Sequence, residues 1–129
     1  TGLDDVYRYF TDKTLEALRR AGPFDADAFG LAAVHSPDMM HPVSEQGFGL
    51  YLCGHTHGGQ ICLPGGVPAF TRTDGGRRFA SGLWSYRGMR GFTSNGAGAS
   101  VLPLRFHCPG EVVLITLRAG SPVSHSGAA

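Results

Sequence analysis

The stretch from Leu50 to Ile61 constrains the fold of this chain more than any other, because an apolar run ends there abruptly in two histidines. Leu50 to Cys53 is short, apolar and followed by glycine, which is typical of a buried β-strand. Gly54 frees the backbone at the end of that strand, and Gly58 and Gly59 do the same beyond the histidines. The sequence therefore predicts a strand that delivers both histidines into a tight loop at its carboxyl end, here called the histidine loop (residues 54–60).

The two histidines, His55 and His57, carry the chemistry of this loop. Neutral imidazole is the commonest protein ligand for transition metals. Side chains two positions apart share a face of an ideal strand, whereas in a loop flanked by glycines the two rings can diverge and reach two adjacent metal ions. A pair of histidines on a solvated surface loop is the alternative interpretation. The glycines on both sides favour the metal site.

The same order of elements occurs earlier in the chain. The apolar run from Phe29 to Val34 predicts a second buried strand, which ends in His35 before a turn at 36–38. The segment from Asp38 to Gly47 has room for one or two helical turns, so the two strands predict a parallel crossover with a short link. Because the carboxyl ends of parallel strands meet at one edge of a sheet, we expect His35 to lie beside the histidine loop.

Further elements are predicted on both sides of this unit. A helix capped by Thr11 or Asp12 is expected to end at Gly22-Pro23. After the histidine loop, strands are predicted at 61–63, 79–86, 91–94 and 111–117. The last of these is rich in β-branched residues and has the strongest strand pattern. Small residues at 94–100 predict a flexible loop, and residues 121–129 are expected to form a disordered tail.

Composition limits the classes of partner and of structural bond. The net charge is +1 and the pI is about 7.8, so overall charge favours neither a nucleic acid nor an anionic membrane. Arginines that follow the histidine loop suit bidentate contact with phosphate, and a solvated structural role is the alternative for most of them. They are Arg72, Arg77, Arg78, Arg87, Arg90 and Arg105. The three cysteines lack C-x-x-C spacing, so neither a disulfide framework nor a cysteine zinc site is predicted.

Three blocks of sequence, in this order, resemble the calcineurin-like metallophosphoesterases. They are Ala33–Asp38, Leu52–Gln60 with the following Leu63-Pro64, and Pro103–Glu111. The pattern is most similar to the bacterial branch of membrane-associated phosphohydrolases that includes enzymes acting on UDP-2,3-diacylglucosamine. The resemblance implies an α/β fold that is part of a four-layer αββα sandwich with mixed sheets. It also implies that residues 1–120 are the C-terminal portion of a metallophosphoesterase domain.

The resemblance further implies a centre of two divalent metal ions, for which manganese, iron and zinc are all suitable. His35 and His55 would bind one ion and His57 the other, and a hydroxide shared by the metals would attack phosphorus in line. By their chemistry, Asn95 and Arg105 are candidates to hold the phosphate or head group of the substrate, although relatives often carry arginine where Asn95 stands. The implied substrate is a phosphoester, such as a lipid or nucleotide-lipid head group.

The remaining metal ligands of the family come from N-terminal D-x-H and G-N-H-D/E motifs, and neither string occurs in this sequence. The chain begins with Thr1 rather than methionine. We therefore expect it to be the C-terminal half of such an enzyme, with no catalytic residue of its own. Without the bridging carboxylate it should hold at most one divalent ion, weakly, and be inactive alone. Membrane association would then come through an N-terminal region outside this sequence, and the resemblance implies a membrane-associated or cytoplasmic location.

Two other hypotheses remain open. In the first hypothesis, the chain is a binding module that keeps a mononuclear metal site or a phosphate pocket without turnover. In the other it is a structural zinc protein whose ligands are His35, His55 and His57 with either His107 or Cys62. The zinc hypothesis is the weakest, because closed structural sites favour ligand sets rich in cysteine.

Overall fold

A computed structural model describes residues 2–3, 12–22, 28–71 and 73–119. The α-helices within these ranges are α1 (Asp12–Ala21) and α2 (Met40–Glu45). The strands are β1 (Gly2–Leu3), β2 (Leu31–Val34), β3 (Leu50–Cys53), β4 (Cys62–Leu63), β5 (Val67–Pro68), β6 (Gly82–Tyr86) and β7 (Met89–Thr93). Short 3₁₀ turns occupy Pro37–Met39, His57–Gly59 and Arg77–Phe79. This combination confirms the predicted α/β class.

The main sheet is mixed, with five strands in the order β1-β2-β3-β7-β6. Strands β1, β2, β3 and β7 pair in parallel, whereas β6 runs antiparallel to β7. A separate two-stranded antiparallel sheet pairs β4 with β5. Mixed sheets with few helices are consistent with part of the predicted α/β sandwich.

Strands β2 and β3 form the predicted parallel crossover. The link between them holds one 3₁₀ turn and helix α2, which matches the one or two helical turns expected there. Ala33 lies opposite Leu52, so both strands end at the same edge of the sheet. At that edge the Gly54 amide donates to the carbonyl of His35, 3.0 Å away. This register brings His35 beside the start of the histidine loop.

The core packs helix and sheet residues around aromatic rings. Tyr51 on β3 is fully buried, and its ring centroid lies 5.5 Å from that of Trp84 on β6. Phe79 packs edge-on against Trp84, with centroids 5.1 Å apart. The Tyr51 hydroxyl donates to the Ser36 carbonyl at 2.6 Å, so the core also fixes the turn that follows His35.

Helix α1 ends at Ala21, just before the predicted stop at Gly22, whereas Asp12, one of the two candidate caps, is its first residue. Leu18 is buried, while Asp12 lies in the first turn and Arg19 and Arg20 lie in the last, as the helix dipole favours. The other candidate cap, Thr11, lies outside the described residues, as do Arg72 and the predicted tail at 121–129. Within the described part of the chain, no helix combines the length and the apolar character needed to cross a bilayer.

The strand predicted at 111–117 is wrong. These residues form no regular element, and the Val112 and Leu114 side chains are 93% and 92% exposed. A strand needs a neighbour to pair with its N–H and C=O groups, and no other described strand pairs with this segment. Strand propensity measures how well a residue fits a pleated, half-buried surface, so β-branched composition alone does not build a strand.

Two other boundaries move by a few residues. The predicted strand 79–86 is shorter in the structure, because Phe79 belongs to the 3₁₀ turn Arg77–Phe79. Strand β6 begins only at Gly82, which has a positive φ angle. The strand predicted at 91–94 begins earlier, at Met89, since the hairpin turn at Arg87 and Gly88 sets its start. Both changes come from turn geometry, which hydropathy does not encode.

Candidate metal centre

His35 and His55 meet at the carboxyl ends of β2 and β3. Nδ1 of His55 lies 2.9 Å from Nε2 of His35, and the rings cross at 71° with centroids 4.7 Å apart. At this distance one nitrogen donates a proton and the other accepts it. The expected proximity of the two histidines is therefore confirmed, and their assignment as ligands of one metal ion stays a prediction.

The histidine loop has an unusual backbone. Three residues other than glycine have positive φ angles, namely His55 (69°), His57 (52°) and Gln60 (58°). Few residues other than glycine adopt this conformation, and its strain concentrates at functional sites. The expectation that Gly54 supplies the special conformation is wrong, because the positive φ falls on His55 instead. Gly58 and Gly59 behave as predicted, with φ of 63° and 87°.

Gly58 also shows how tightly this loop is packed. A Cβ at this position would lie 2.3 Å from Oδ1 of Asn95 and 2.7 Å from Sγ of Cys108. Both distances are shorter than van der Waals contact allows. Position 58 therefore accepts only glycine, for reasons of space as well as of backbone angle.

Thr56 anchors the loop from within. Its side chain is buried, and its hydroxyl donates to the Ala80 carbonyl at 2.6 Å while accepting from the Gly58 amide at 3.1 Å. Because the hydroxyl is satisfied on both sides, Thr56 fixes the backbone between the two histidines. Whether His55 and His57 serve two different metal ions stays a prediction.

His57 carries the observation that best fits a metal ion. Its Nδ1 is buried and, within the described residues, has no hydrogen-bond partner. An unpaired buried nitrogen costs free energy, roughly 1–3 kcal/mol, unless a ligand satisfies it. A neutral imidazole nitrogen is also the donor that a divalent transition metal prefers. The donor set of His35, His55 and His57 therefore fits metal binding chemically.

Arg105 holds the loop from the other side. Its Nε donates to the Gly98 carbonyl at 2.8 Å, and its Nη1 donates to the carbonyls of His57 and Cys108 at 3.2 and 3.3 Å. Nη2 donates to the carbonyls of Asn95 and Gly96 at 2.6 and 3.1 Å, and also to Gly98. Its guanidinium is thus occupied by backbone oxygens from both neighbouring loops, and phosphate contact by Arg105 stays a prediction.

Asn95, the other substrate candidate, packs beside Gly58. Its Oδ1 accepts a hydrogen bond from the Ser81 hydroxyl at 2.7 Å, and its backbone amide donates to the Glu111 carboxylate at 2.8 Å. Asn95 is therefore fixed close to the histidine loop. Its proposed contact with substrate is untested by this geometry.

A cavity of about 630 Å³ opens beside the histidines. His35, His55 and His57 are among the residues that line it. Phe70 and residues 100–102, here called the apolar wall, also line it. The side chains of Phe70, Val101 and Leu102 are 76%, 82% and 54% exposed. The cavity is thus lined both by imidazoles and by exposed apolar side chains.

Gln60 connects the histidine loop to the apolar wall. Its Nε2 donates to the carbonyls of Ser100 and Leu102, both at 3.0 Å, and its Oε1 accepts from the Ser100 amide at 2.6 Å. Sequence reasoning missed the roles of Gln60 and Thr56. The only signal was their position inside the G-H-T-H-G-G-Q string, since neither side chain is a metal ligand in the predicted set.

The thiols of Cys62 and Cys108 lie behind the loop. Cys62 donates to the Gly58 carbonyl at 3.2 Å, and Cys108 donates to the His57 carbonyl at 3.2 Å. Burial raises the pKa of the Cys62 thiol above 9.0, and the neighbouring Cys108 raises it further. Both thiols are buried beneath the backbone of the loop.

The described residues contain no group of three His, Cys, Asp or Glu side chains close enough to hold one ion. The structural zinc hypothesis named two further ligand candidates, Cys62 and His107. Cys62 is engaged with the Gly58 carbonyl, and the exposed His107 packs against Phe106 with ring centroids 4.3 Å apart. The assignment of His57 to a different ion from His35 and His55 stays a prediction.

Comparison with known proteins finds relatives that are named metallophosphoesterase or phosphodiesterase. An uncharacterized metallophosphoesterase of Bacillus subtilis, YkuE, is 34% identical over 91 residues, which cover 70% of this chain and 32% of the relative. The phosphodiesterase YaeI of Escherichia coli is 33% identical over 87 residues, covering 67% and 32%. An uncharacterized metallophosphoesterase of Helicobacter pylori is 29% identical over 121 residues, covering 87% and 30%.

The chain spans about a third of the length of these curated relatives. No protein-family model matches it, and comparison with solved structures gives no significant match. The similarity to proteins named metallophosphoesterase or phosphodiesterase supports the assignment of this chain to the metallophosphoesterase superfamily.

Proposed function

We propose that this chain supplies the histidine side of a metal-dependent phosphoesterase site. His35 and His55 would hold one divalent ion, and His57 would hold a second. The observation that carries the proposal is the unpaired, buried Nδ1 of His57, in a ring that lines the same cavity as His35 and His55. The named homologues support the reaction class.

Divalent manganese, iron or zinc, when bound, supplies Lewis acidity and an activated water for the hydrolysis of phosphoesters. The chain's own residues orient the ligands. The hydrogen bond between His35 and His55 holds the two rings together, and it must break or rearrange when both nitrogens turn to a cation. Thr56 and Arg105 hold the backbone of His57 through the Gly58 amide and the His57 carbonyl.

We assign the substrate's head group to Asn95 and Arg105, which contact the histidine loop at Gly58 and His57 and are not among the residues that line the cavity. The Oδ1 of Asn95 is taken by Ser81, which leaves the amide NH₂ as the group for a phosphate oxygen. A phosphate could reach Arg105 only by replacing one of its carbonyl partners. Asn95 is accordingly the more direct candidate of the two.

The apolar wall supports a substrate that carries an apolar group beside its phosphoester, such as a lipid or nucleotide-lipid head group. Large apolar side chains exposed at a pocket mouth are a feature of sites that bind apolar ligand surface. Phe70, Val101 and Leu102 have this character and face the same cavity as the histidines. Membrane association through a region outside this sequence belongs to the same proposal.

We further propose that the chain alone is the C-terminal part of the enzyme and does not turn over substrate. The D-x-H and G-N-H-D/E strings of the family do not occur in it. A second candidate is a binding module that holds a single metal ion or a phosphate without catalysis. The lack of a three-ligand group among the described residues favours weak binding of one ion in either case.

Calorimetric titration of the chain with Mn²⁺ or Zn²⁺ tests the metal site. Without the other ligands of the two-metal centre, we expect the three imidazoles together to hold at most one ion per chain, so that His57→Ala lowers its affinity about tenfold or more. The matched control is His41→Ala, because His41 is exposed on α2 and pairs only with Glu45 at 3.4 Å among the described residues. Equal affinities in the two variants would refute the role of His57.

Hydrolysis of a chromogenic phosphodiester tests the second part of the proposal. We expect the chain to show no more activity with added Mn²⁺ than the His57→Ala variant. Activity clearly above that variant would refute the inactivity of the chain while supporting the phosphoesterase assignment. Binding of metal without activity, in a longer protein that also contains the missing motifs, would favour the non-catalytic module.

A further inference from the structure

The fold brings together two cysteines whose spacing along the chain does not predict a pair. Sγ of Cys62 lies 3.2 Å from the Gly58 carbonyl oxygen, and Sγ of Cys108 lies 3.5 Å from the same oxygen. The Cys108 thiol is also close enough to Cys62 to raise the pKa of that thiol beyond the effect of burial. Both belong to segments that run side by side, since the Cys62 amide donates to the Phe106 carbonyl at 2.8 Å.

The third cysteine, Cys53, has different surroundings. Its sulfur contacts the Phe92 carbonyl at 3.7 Å and the Thr93 hydroxyl at 3.2 Å, both on β7. The chain therefore contains one thiol pair and one separate buried thiol. Cys53 is for this reason an internal control for any chemistry of the pair.

We propose that Cys62 and Cys108 form a redox-sensitive pair, which a hydroperoxide oxidises to a disulfide that loosens the backbone of His57. Cys108 reacts first because it is the more exposed of the two, at 6% against 2%. Its sulfur attacks one peroxide oxygen, the O–O bond breaks and the thiol proton goes to the departing oxygen, so a sulfenic acid forms together with an alcohol, or with water when the oxidant is hydrogen peroxide. The Cys62 sulfur then attacks that sulfur, the S–O bond breaks, and the hydroxyl leaves as water with the Cys62 proton. Two electrons pass from the thiols to the peroxide.

The consequence for the loop follows from the hydrogen bonds that the thiols make. Cys108 donates to the His57 carbonyl, and both cysteines contact the Gly58 carbonyl. A disulfide has no S–H group, so these donors are lost together. His57 and Gly58 both have positive φ angles, and a strained backbone depends on such contacts to persist. Oxidation is therefore expected to release the loop segment that carries the His57 ring.

Treatment of the intact protein with hydrogen peroxide tests the proposal. We expect the count of free thiols to fall from three to one. Peptide mapping without reductant should show Cys62 joined to Cys108 within one chain, with Cys53 still free. Dithiothreitol should restore all three thiols. Retention of every thiol under conditions that oxidise free glutathione would overturn the proposal, as would a crosslink that includes Cys53.

Variants and spectroscopy test the effect on the loop. Cys53→Ser should still form the intramolecular disulfide, whereas Cys62→Ser and Cys108→Ser should not. In ¹H–¹³C spectra of the wild-type protein, the imidazole signals of His57 should shift on oxidation while those of His41 stay unchanged. Unchanged His57 signals in the disulfide form would refute the link to the loop. If a serine variant does not fold, the peptide map and the spectra of the wild-type protein still test the disulfide and its effect on His57.

Discussion

The histidine loop and the apolar wall, which both line the cavity, are held in place in different ways. The histidine loop is fixed by buried contacts, including Thr56 to Ala80 and the thiols behind Gly58. The apolar wall at 100–102 is held chiefly by exposed hydrogen bonds from the Gln60 side chain. Exposed bonds compete with water, so they hold a segment less firmly than buried ones.

This difference suits the two tasks that we propose. Metal ligands must keep a fixed geometry, and a loop with three strained residues needs strong support to stay in one conformation. A surface that receives an apolar group gains from being able to adjust. Val101 has a φ of 66°, which is rare for a β-branched residue, so the apolar wall is also under strain with less support. Arg105 holds the histidine loop at His57 and also holds the neighbouring segment 95–98, which precedes the apolar wall.

The largest effect is expected from Arg105→Ala, because this change removes support from the histidine loop and from the neighbouring segment 95–98 at once. Hydrogen bonds from a charged donor contribute about 1.5–3 kcal/mol each, although their sum is not additive. We expect the free energy of unfolding to fall by about 3 kcal/mol or more, as measured by urea denaturation. Arg105→Lys should recover little of this lost free energy, since one ammonium cannot reach carbonyls on two loops. A stable Arg105→Lys protein would contradict the shared role.

Thr56→Val should weaken only the histidine loop. The side chain keeps its shape but loses the hydroxyl that serves Ala80 and the Gly58 amide, at a cost of about 2 kcal/mol. Thr56→Ser keeps the hydroxyl and is the matched control. We expect Thr56→Val, and not Thr56→Ser, to weaken Mn²⁺ binding in a calorimetric titration. Equal affinities would mean that Thr56 does not position His57.

Gln60→Ala should release only the apolar wall. Its hydrogen bonds are exposed, so the expected loss of stability is about 1 kcal/mol or less. Hydrogen exchange followed by NMR should show faster exchange of the Ser100 amide. The amide of Gly59, which donates to the Thr56 carbonyl at 2.8 Å, should exchange as before. Faster exchange at both amides would show that the two regions are not independent.

The smallest effect is a change of stability with pH. Burial raises the pKa of Cys62 in the folded state, so the thiol ionises more readily when the chain unfolds. This contribution is fully present below the unfolded pKa and is lost as pH rises above about 9.0 toward the folded value. Urea denaturation at neutral and alkaline pH should show a smaller fall in stability for Cys62→Ser. An equal fall would assign the dependence to other groups.

Much of the central unit could be predicted from hydropathy. The runs before His35 and His55 are buried strands, and the short link between them forces a parallel crossover. The same reasoning failed at 111–117, where an equally apolar run has no strand beside it and stays exposed. Composition reports what a segment is able to bury, whereas a strand also requires a neighbour for its backbone.

The site divides in a similar way. Its ligand candidates are recognisable because histidine at the end of a buried strand, framed by glycine, has few other uses. The supporting residues are not recognisable from the sequence. Thr56, Gln60 and Arg105 act through backbone groups that are distant in sequence. The placement of positive φ on His55 rather than on Gly54 was equally beyond prediction, because it depends on which contacts the surrounding chain provides.

The sequence by itself determined the two strands that end in histidine, the direction of their pairing and the resemblance to metallophosphoesterases. These depend on local patterns of apolar residues, glycine and histidine. Tertiary structure alone decided that Nδ1 of His57 is buried without a partner among the described residues and that Arg105 donates its hydrogen bonds to carbonyls. It also decided that Cys62 and Cys108 lie against the same Gly58 carbonyl. Each of these depends on segments far apart in the chain, whose distances are fixed only when the sheet and its loops pack together.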